Sequence, residues 1–254
     1  MNERRTMETL GQWEAFAITL DAEGERYRKF LASNKHLSIK PFTAIKGSDL
    51  QRVDIVSSGL VTKDLSSSPL LTAGAIGCAA SHRKLWTISA RENKGLLVLE
   101  DDCQTHQQVE SLIDSNISTL MSCDICLFGV NTDSIMESTS PEGLQTLTLF
   151  DQKHPSGRWI EETLARTDIR VVRIHRLLKA FGTSCYFISP TGARKMDRYI
   201  FPLSSASTNI PGISDEMPMI SIDRAACNIY PDIAAFVCRP FLAYSSNIES
   251  STLC

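Results

Sequence analysis

Leu96-Leu97-Val98-Leu99-Glu100-Asp101-Asp102 decides the fold class of this chain. Four apolar residues of strand type run without interruption, as in a buried strand, and end in three consecutive carboxylates. The backbone is therefore expected to leave the core there and deliver acids to a surface cleft. Carboxylate oxygens are hard ligands that suit Mg²⁺ or Mn²⁺, and such ions take one or two carboxylates together with substrate phosphate oxygens. A sugar-nucleotide diphosphate is one ligand of that kind. An isolated Glu-Asp-Asp equally fits a solvated turn after a strand, so the surrounding chain must decide.

Upstream, Gly74-Ala75-Ile76-Gly77-Cys78-Ala79-Ala80-Ser81-His82 opens a helix predicted over 74–92. Its small residues let another backbone or a ligand come close, and its first turn offers free N–H groups. His82 and Trp86 share a face at i, i+4. Further towards the N-terminus, residues 15–20 read as a strand, 23–34 as a helix and 39–45 as a second strand, a β-α-β start that argues for an α/β sheet. Residues 57–72, rich in Ser, Thr, Gly and Pro, read as a loop.

Downstream, a helix is predicted over 107–121 and a strand over 124–130, after which 131–167 shows little periodicity. A connection that long is more often functional than idle. Strands are predicted over 169–174 and 184–188, and a helix over 190–199 that tolerates Pro190 at its start. After a loop over 201–213, Ser214-Asp215-Glu216 reads as the start of another helix. A strand near 233–237 precedes a polar tail. Asp215 or Glu216 is a candidate general base, with Asp223 a weaker one. The densest basic cluster, Arg170, Arg173, His175, Arg176 and Lys179, reads as a solvated strand edge, with a diphosphate or an anionic membrane surface as the other reading.

Composition narrows the function classes. The 254 residues are 43% hydrophobic, enough for one large α/β domain. With 26 basic and 29 acidic residues the net charge is -3, which leaves no electrostatic footprint for nucleic acid. No run reaches the roughly 20 apolar residues of a membrane span, and the N-terminus has no apolar signal core. The expected location is cytoplasmic, peripheral at the inner face of a membrane at most. Eight cysteines are scattered singly except for Cys123 and Cys126, which lie on a predicted strand and face opposite sides, so a zinc or redox pair is not expected. No G-x-x-x-x-G-K-[ST] loop is present to cradle phosphates.

In order and spacing these segments resemble glycosyltransferase family 25, which contains lipopolysaccharide sugar transferases and collagen galactosyltransferase-like domains. The resemblance spans roughly residues 15–245. It rests on AFAITL at 15–20 with Arg26 downstream, AIKG at 44–47, GAIGCAASHRKLW at 74–86 and LLVLEDD at 96–102. It continues through DICLFG at 124–129, GTSCYFISPTGARKM at 182–196, SDEMPMI at 214–220 and FVCRPFLAY at 236–244. It implies a GT-A-like α/β fold with a mixed, mainly parallel central sheet flanked by helices, in a single domain over 1–254. The donor-binding half would be about 12–130, the acceptor and base half 131–245, and the tail 246–254.

The resemblance further implies an inverting, Mn²⁺- or Mg²⁺-dependent transfer of a hexose, galactose or glucose, from a UDP-sugar to a hydroxyl of a glycan or glycoconjugate such as lipopolysaccharide. Asp102 and then Asp101 would hold the metal. Glu100, Asp101, Ser81, His82, Gly77 and Arg26 would form the donor site, and Asp215 or Glu216 would be the base. Ala75 departs from the family, many of whose members have Glu there. The rival reading is a non-catalytic nucleotide-sugar or glycan-binding protein on the same fold. Oligomeric state is not legible in the sequence.

Overall fold

The computed structural model describes residues 11–150, 154–210 and 214–246, and the side chains of 210 and 214–216 also lie outside the description. In chain order the first half forms β1 (Trp13–Thr19), α1 (Glu25–Ser33), β2 (Ile39–Thr43), α2 (Arg52–Ser57), α3 (Ala73–Glu92), β3 (Gly95–Glu100), β4 (Cys103–Thr105), α4 (Val109–Ser115), α5 (Ile117–Ser122) and β5 (Ile125–Leu127). The second half forms β6 (Ile135–Thr139), β7 (Gln145–Leu149), α6 (Gly157–Arg166), β8 (Arg173–Ala180), β9 (Cys185–Ile188), α7 (Pro190–Ile200), β10 (Ser207–Ile210), β11 (Ser214–Pro218), α8 (Ile222–Ile229), β12 (Ala235–Arg239) and β13 (Ala243–Ser245). A nine-stranded sheet carries them in the order β2-β1-β3-β9-β5-β12-β8-β6-β7. Strands β1, β2, β3, β5, β6 and β12 point one way and β7, β8 and β9 the other. The result is the expected α/β class, a mixed sheet between helical layers consistent with a GT-A-like fold.

Why the Leu96–Leu99 run is continuous is visible in its two faces. Leu96 and Val98 pack with Leu85 and Trp86 of α3 and Met196 of α7 in one core. Leu97 and Leu99 pack on the opposite side with Phe30 of α1, Ile113 of α4 and Leu120 of α5. Side chains alternate along a strand, so a strand covered on both faces needs apolar residues at every position. All four are at most 1% exposed, and each contributes about 1.5–3 kcal/mol on burial.

Helix α3 is punctuated as its sequence suggests. The Thr72 hydroxyl accepts from Ala75 N at 3.1 Å, and Asn93 ends the helix in the left-handed conformation with φ 54°. Its small residues let backbone approach backbone: a Cβ on Gly77 would lie 2.4 Å from the Ile45 carbonyl oxygen, and one on Gly47 would lie 1.9 Å from that of Ala73. The 44–48 segment is thereby pressed onto α3, one wall of the cleft described below. Helix propensity alone would favour Gly77→Ala by about 1 kcal/mol. We expect the opposite sign, a loss of about 2 kcal/mol from overpacking against a carbonyl that cannot retreat. Urea unfolding that leaves the variant as stable as the parent would contradict this packing.

Four sequence expectations are corrected. The acidic segment at 214 is a strand, paired antiparallel with β10 through Ser207–Pro218 and Thr208–Met217. Pro218 has no N–H and would fall inside the predicted helix, which starts instead at Ile222. The stretch 131–167 contains a hairpin, β6 with β7, and the capped helix α6. In β7 Leu147 and Leu149 alternate with Thr146 and Thr148, but these leucines are exposed, so the alternation marks no buried face. Residues 169–171 form a 3₁₀ turn capped by Asp168, and the strand runs from Arg173. It lies between β12 and β6, so the basic cluster is not on a sheet edge, and Arg176 donates to the Ala235 and Pro231 carbonyls. Finally, the helix expected over 107–121 is two, α4 and α5, divided at Asn116.

Candidate active site

At the end of β3 the chain turns, and three acids stand together. Glu100 N still donates to the Ser184 carbonyl at 2.9 Å, while Asp101 and Asp102 form the turn that leads to β4. Arg26, in the first turn of α1, reaches them: its Nε is 2.7 Å from Asp101 Oδ1 and its Nη2 is 3.7 Å from Asp102 Oδ2. Parallel pairing of β1 with β3, Ile18 opposite Glu100, brings the start of α1 to the same end of the sheet.

Asp102 is the most strained of the three electrostatically. Burial, reinforced by the charge of Glu100, pushes its carboxyl up to about 6 against the pull of Ser245 and Arg26. Its Oδ1 is buried and accepts no hydrogen bond from any described residue. An acceptor oxygen left in this state is a place where a cation fits, and the oxygen-only donors Asp101 and Asp102 suit a hard divalent ion.

Glu100 behaves differently because it is supported. Burial opposes its ionisation, but the His82 ring and the Thr183 hydroxyl, with Arg26 beyond, outweigh burial and hold the carboxyl below its ordinary value. Thr183 Oγ1 donates to Glu100 Oε1 at 2.7 Å, and His82 Nε2 lies 3.5 Å from the same oxygen. Behind His82, the Tyr186 hydroxyl is 2.7 Å from Nδ1 and receives the Trp86 indole N–H at 2.9 Å. Trp is a donor only, so the arrangement is best satisfied if Tyr186 donates to Nδ1 and the Nε2–H faces Glu100. His82 is thus a buried positioning group. Ser81, also buried, donates to the Gly77 carbonyl at 2.7 Å and accepts from Ile45 N at 2.8 Å, which ties the 44–48 segment to α3.

Two clefts meet at these acids. One, about 540 Å³, is lined by Asp21, Arg26, Lys46, Gly77, Ser81, His82, Glu100 and Asp101, so the residues assigned to the donor site come together in it. The other, about 400 Å³, is lined by Glu100, Asp102, Asn131, Asp133, His154, Thr183, Asp223 and Ser245. Glu100 and Cys78 belong to both. Asp223 sits in the first turn of α8 and accepts from Gly182 N at 3.3 Å and Arg224 N at 2.9 Å. Gly182 has φ +93°, and a Cβ there would lie 2.3 Å from Asn131 Oδ1, so only glycine suits this part of the wall. The Asp215 and Glu216 side chains lie outside the described residues. Sequence reading misses Thr183 and Tyr186, although both sit inside the Gly182–Met196 segment that carries part of the family resemblance.

Cys78, His82 and Glu100 also place one ligand atom each within 4.8 Å of one another. A metal there would need Cys78 to ionise, and burial pushes that thiol well up. It would also need the His82 tautomer with its proton on Nδ1, facing the Tyr186 hydroxyl. Asp101 and Asp102 are therefore the better cation donors. Among the described residues no helix is long and apolar enough to cross a membrane.

Fold and site together define an α/β protein whose central sheet presents an acidic cluster between two clefts. The family is glycosyltransferase family 25, described as an LPS biosynthesis protein family, whose model matches residues 13–210; the chain belongs to it. A rat protein named "Probable inactive glycosyltransferase 25 family member 3" is 23% identical over 257 residues, covering 96% of this chain and 40% of its own length. The mouse "Inactive glycosyltransferase 25 family member 3" is 24% identical over 263 residues, covering 96% and 39%. The chain thus spans about two fifths of the length of these curated relatives. Among solved structures, "Crystal Structure of A197 from STIV" is similar at a TM-score of 0.38 and 7% identity, covering 89% of this chain and 81% of that one.

Proposed function

We propose that the chain is an inverting, metal-dependent glycosyltransferase that moves a hexose, galactose or glucose, from a UDP-sugar to a hydroxyl of a glycan or glycoconjugate acceptor such as lipopolysaccharide. The observation that carries the reading is the junction of two clefts at Glu100, one with Arg26 and Lys46, the other with Asp102 and Asp223. The donor half, about 12–130, supplies the first cleft, and the half from 131 supplies most of the second. Arg26 and Lys46 are cations placed to offset diphosphate charge. Asp102 and Asp101 would hold a Mn²⁺ or Mg²⁺ ion, which when bound offsets the charge gathering on the departing UDP.

In the transfer, the acceptor hydroxyl oxygen bonds to the anomeric carbon as that carbon's bond to the phosphate oxygen breaks, and the hydroxyl proton passes to a carboxylate. A single displacement inverts the anomeric centre. Asp223 is our first candidate for the base because it lines the cleft opposite the donor side; Asp215 and Glu216 are the others. His82 and Thr183 keep Glu100 ionised and oriented between the clefts. The work is assigned to the cytoplasmic side, with peripheral attachment to a membrane that carries the acceptor.

The printed names of the rat and mouse relatives favour a second reading, a binding protein without turnover. A panel of UDP-sugars assayed for UDP release with and without Mn²⁺ separates the two. Metal-dependent release from one donor is expected. UDP binding by calorimetry with no release from any donor, across a range of glycan acceptors, would favour the binding protein.

A further inference from the structure

A third cleft, about 810 Å³, opens beside the acidic one and shares His154 with it. Its walls come from α6 and the residues just before it, from Phe150 after β7, from Thr132, and from the end of β12 with the stretch that follows it. Trp159 meets Tyr244 edge-on at a ring separation of 5.3 Å, Tyr244 meets Phe241 at 5.8 Å, and Phe241 meets Phe150 at 5.9 Å. Trp159 is nonetheless 47% exposed, so this ring cluster has an open face. Arg239 lies over Phe241, its Cζ 5.0 Å from the ring centroid, and its guanidinium makes no ion pair or hydrogen bond with any described residue. Among the described residues lining the cleft it is the one cation with a fixed charge, and none is acidic.

Open aromatic faces hold the apolar face of a sugar ring, and a guanidinium that has no ion-pair partner among the described residues matches a carboxylate or phosphate bidentately. We propose that this cleft is an acceptor subsite for a sugar unit bearing an anionic group, stacked on Trp159 and paired with Arg239. Continuity through His154 places that unit next to the acidic cleft, so the specificity belongs to the acceptor. The assignment rests on the glycosyltransferase reading for its role, whereas the binding itself does not.

Trp159 is the reporter, since the other two tryptophans, Trp13 and Trp86, are buried. Quenching of its fluorescence is titrated with methyl glucuronide, glucose 6-phosphate, methyl glucoside, inorganic phosphate and UDP, using the full chain. At least one anionic sugar is expected to quench at about tenfold lower concentration than methyl glucoside, and Arg239→Gln to erase that preference. Arg239→Lys should retain part of it, and Trp159→Phe, at an exposed ring, should remove the signal without changing the melting temperature. Whichever of the carboxylate and phosphate arms binds tighter identifies the anion. Equal binding of neutral and anionic sugars, no binding of any sugar, inorganic phosphate as effective as the sugar phosphate, or a preference untouched by Arg239→Gln would each overturn the subsite. Quenching by UDP through Trp159 would reassign the cleft to the nucleotide. Failure of UDP release with anionic-sugar binding intact would remove the transferase reading and leave this site standing.

Discussion

Asp102→Asn is expected to abolish Mn²⁺-dependent turnover and, at the same time, to make the metal-free protein more stable at neutral pH. Both effects follow from one carboxylate that is buried, crowded by Glu100 and left with an oxygen that accepts no hydrogen bond among the described residues. The parent is expected to gain about 2.7 kcal/mol in Mn²⁺ at a hundredfold excess over its dissociation constant, and the variant to gain almost none.

The pH dependence has a defined sign. The folded carboxyl is pushed up to about 6 from an ordinary 3.8, so between those values the native state holds more protons than the unfolded one. Metal-free stability of the parent therefore falls as pH rises through that window, by about 3 kcal/mol for a shift of this size. The variant cannot lose that proton and should not follow. Denaturation curves at pH 4 and pH 7, with and without Mn²⁺, provide the check. A parent and variant that respond identically to Mn²⁺ would remove Asp102 from the metal site.

Asp223→Asn is expected to lower kcat by about 10² to 10⁴-fold while leaving UDP-sugar affinity nearly unchanged. A carboxylate offers about four acceptor positions, and Gly182 N, Arg224 N and the Ser221 hydroxyl account for three. Asp223 lines the cleft whose walls come mostly from the half after 131, which Glu100 and Asp102 border from the other side. Asparagine keeps an acceptor oxygen for the wall but cannot take a proton, so folding should survive where proton transfer does not. Asp215→Asn and Glu216→Gln, made in parallel, decide the alternative. If either of these carries the large kcat loss and Asp223→Asn does not, the base lies on β11.

The two expectations differ in how far the chain alone announces them. The acids at 100–102 are conspicuous, because in an α/β chain an uninterrupted apolar run that ends in charge marks a buried strand leaving the core. Asp223 is not, since one acid at the start of a helix is ordinary capping chemistry and the Asp215-Glu216 pair nearby is denser in charge. Pro218 is the residue that argues for a strand in that segment, against the helical pull of the acidic pair. The small-residue start of α3 is legible as a close approach, though not as an approach by the 44–48 backbone.

By itself, then, the sequence determined the buried strand at 96–100, the helix that precedes it, the α/β class and the family, because periodicity, capping and motif order are local properties of the chain. Only the tertiary structure decided that Arg26 meets Asp101, that His82, backed by Tyr186 and Trp86, faces Glu100, and that Asp223 shares a cleft with Asp102. It alone brought Trp159 beside Tyr244 and set Arg239 among aromatic rings with no ion-pair partner among the described residues. Such contacts join residues far apart in the chain, or elements whose order in the sheet differs from their order in the sequence. Side-chain periodicity has no information about which strand lies next to which; packing of the helices on both faces of the sheet supplies it.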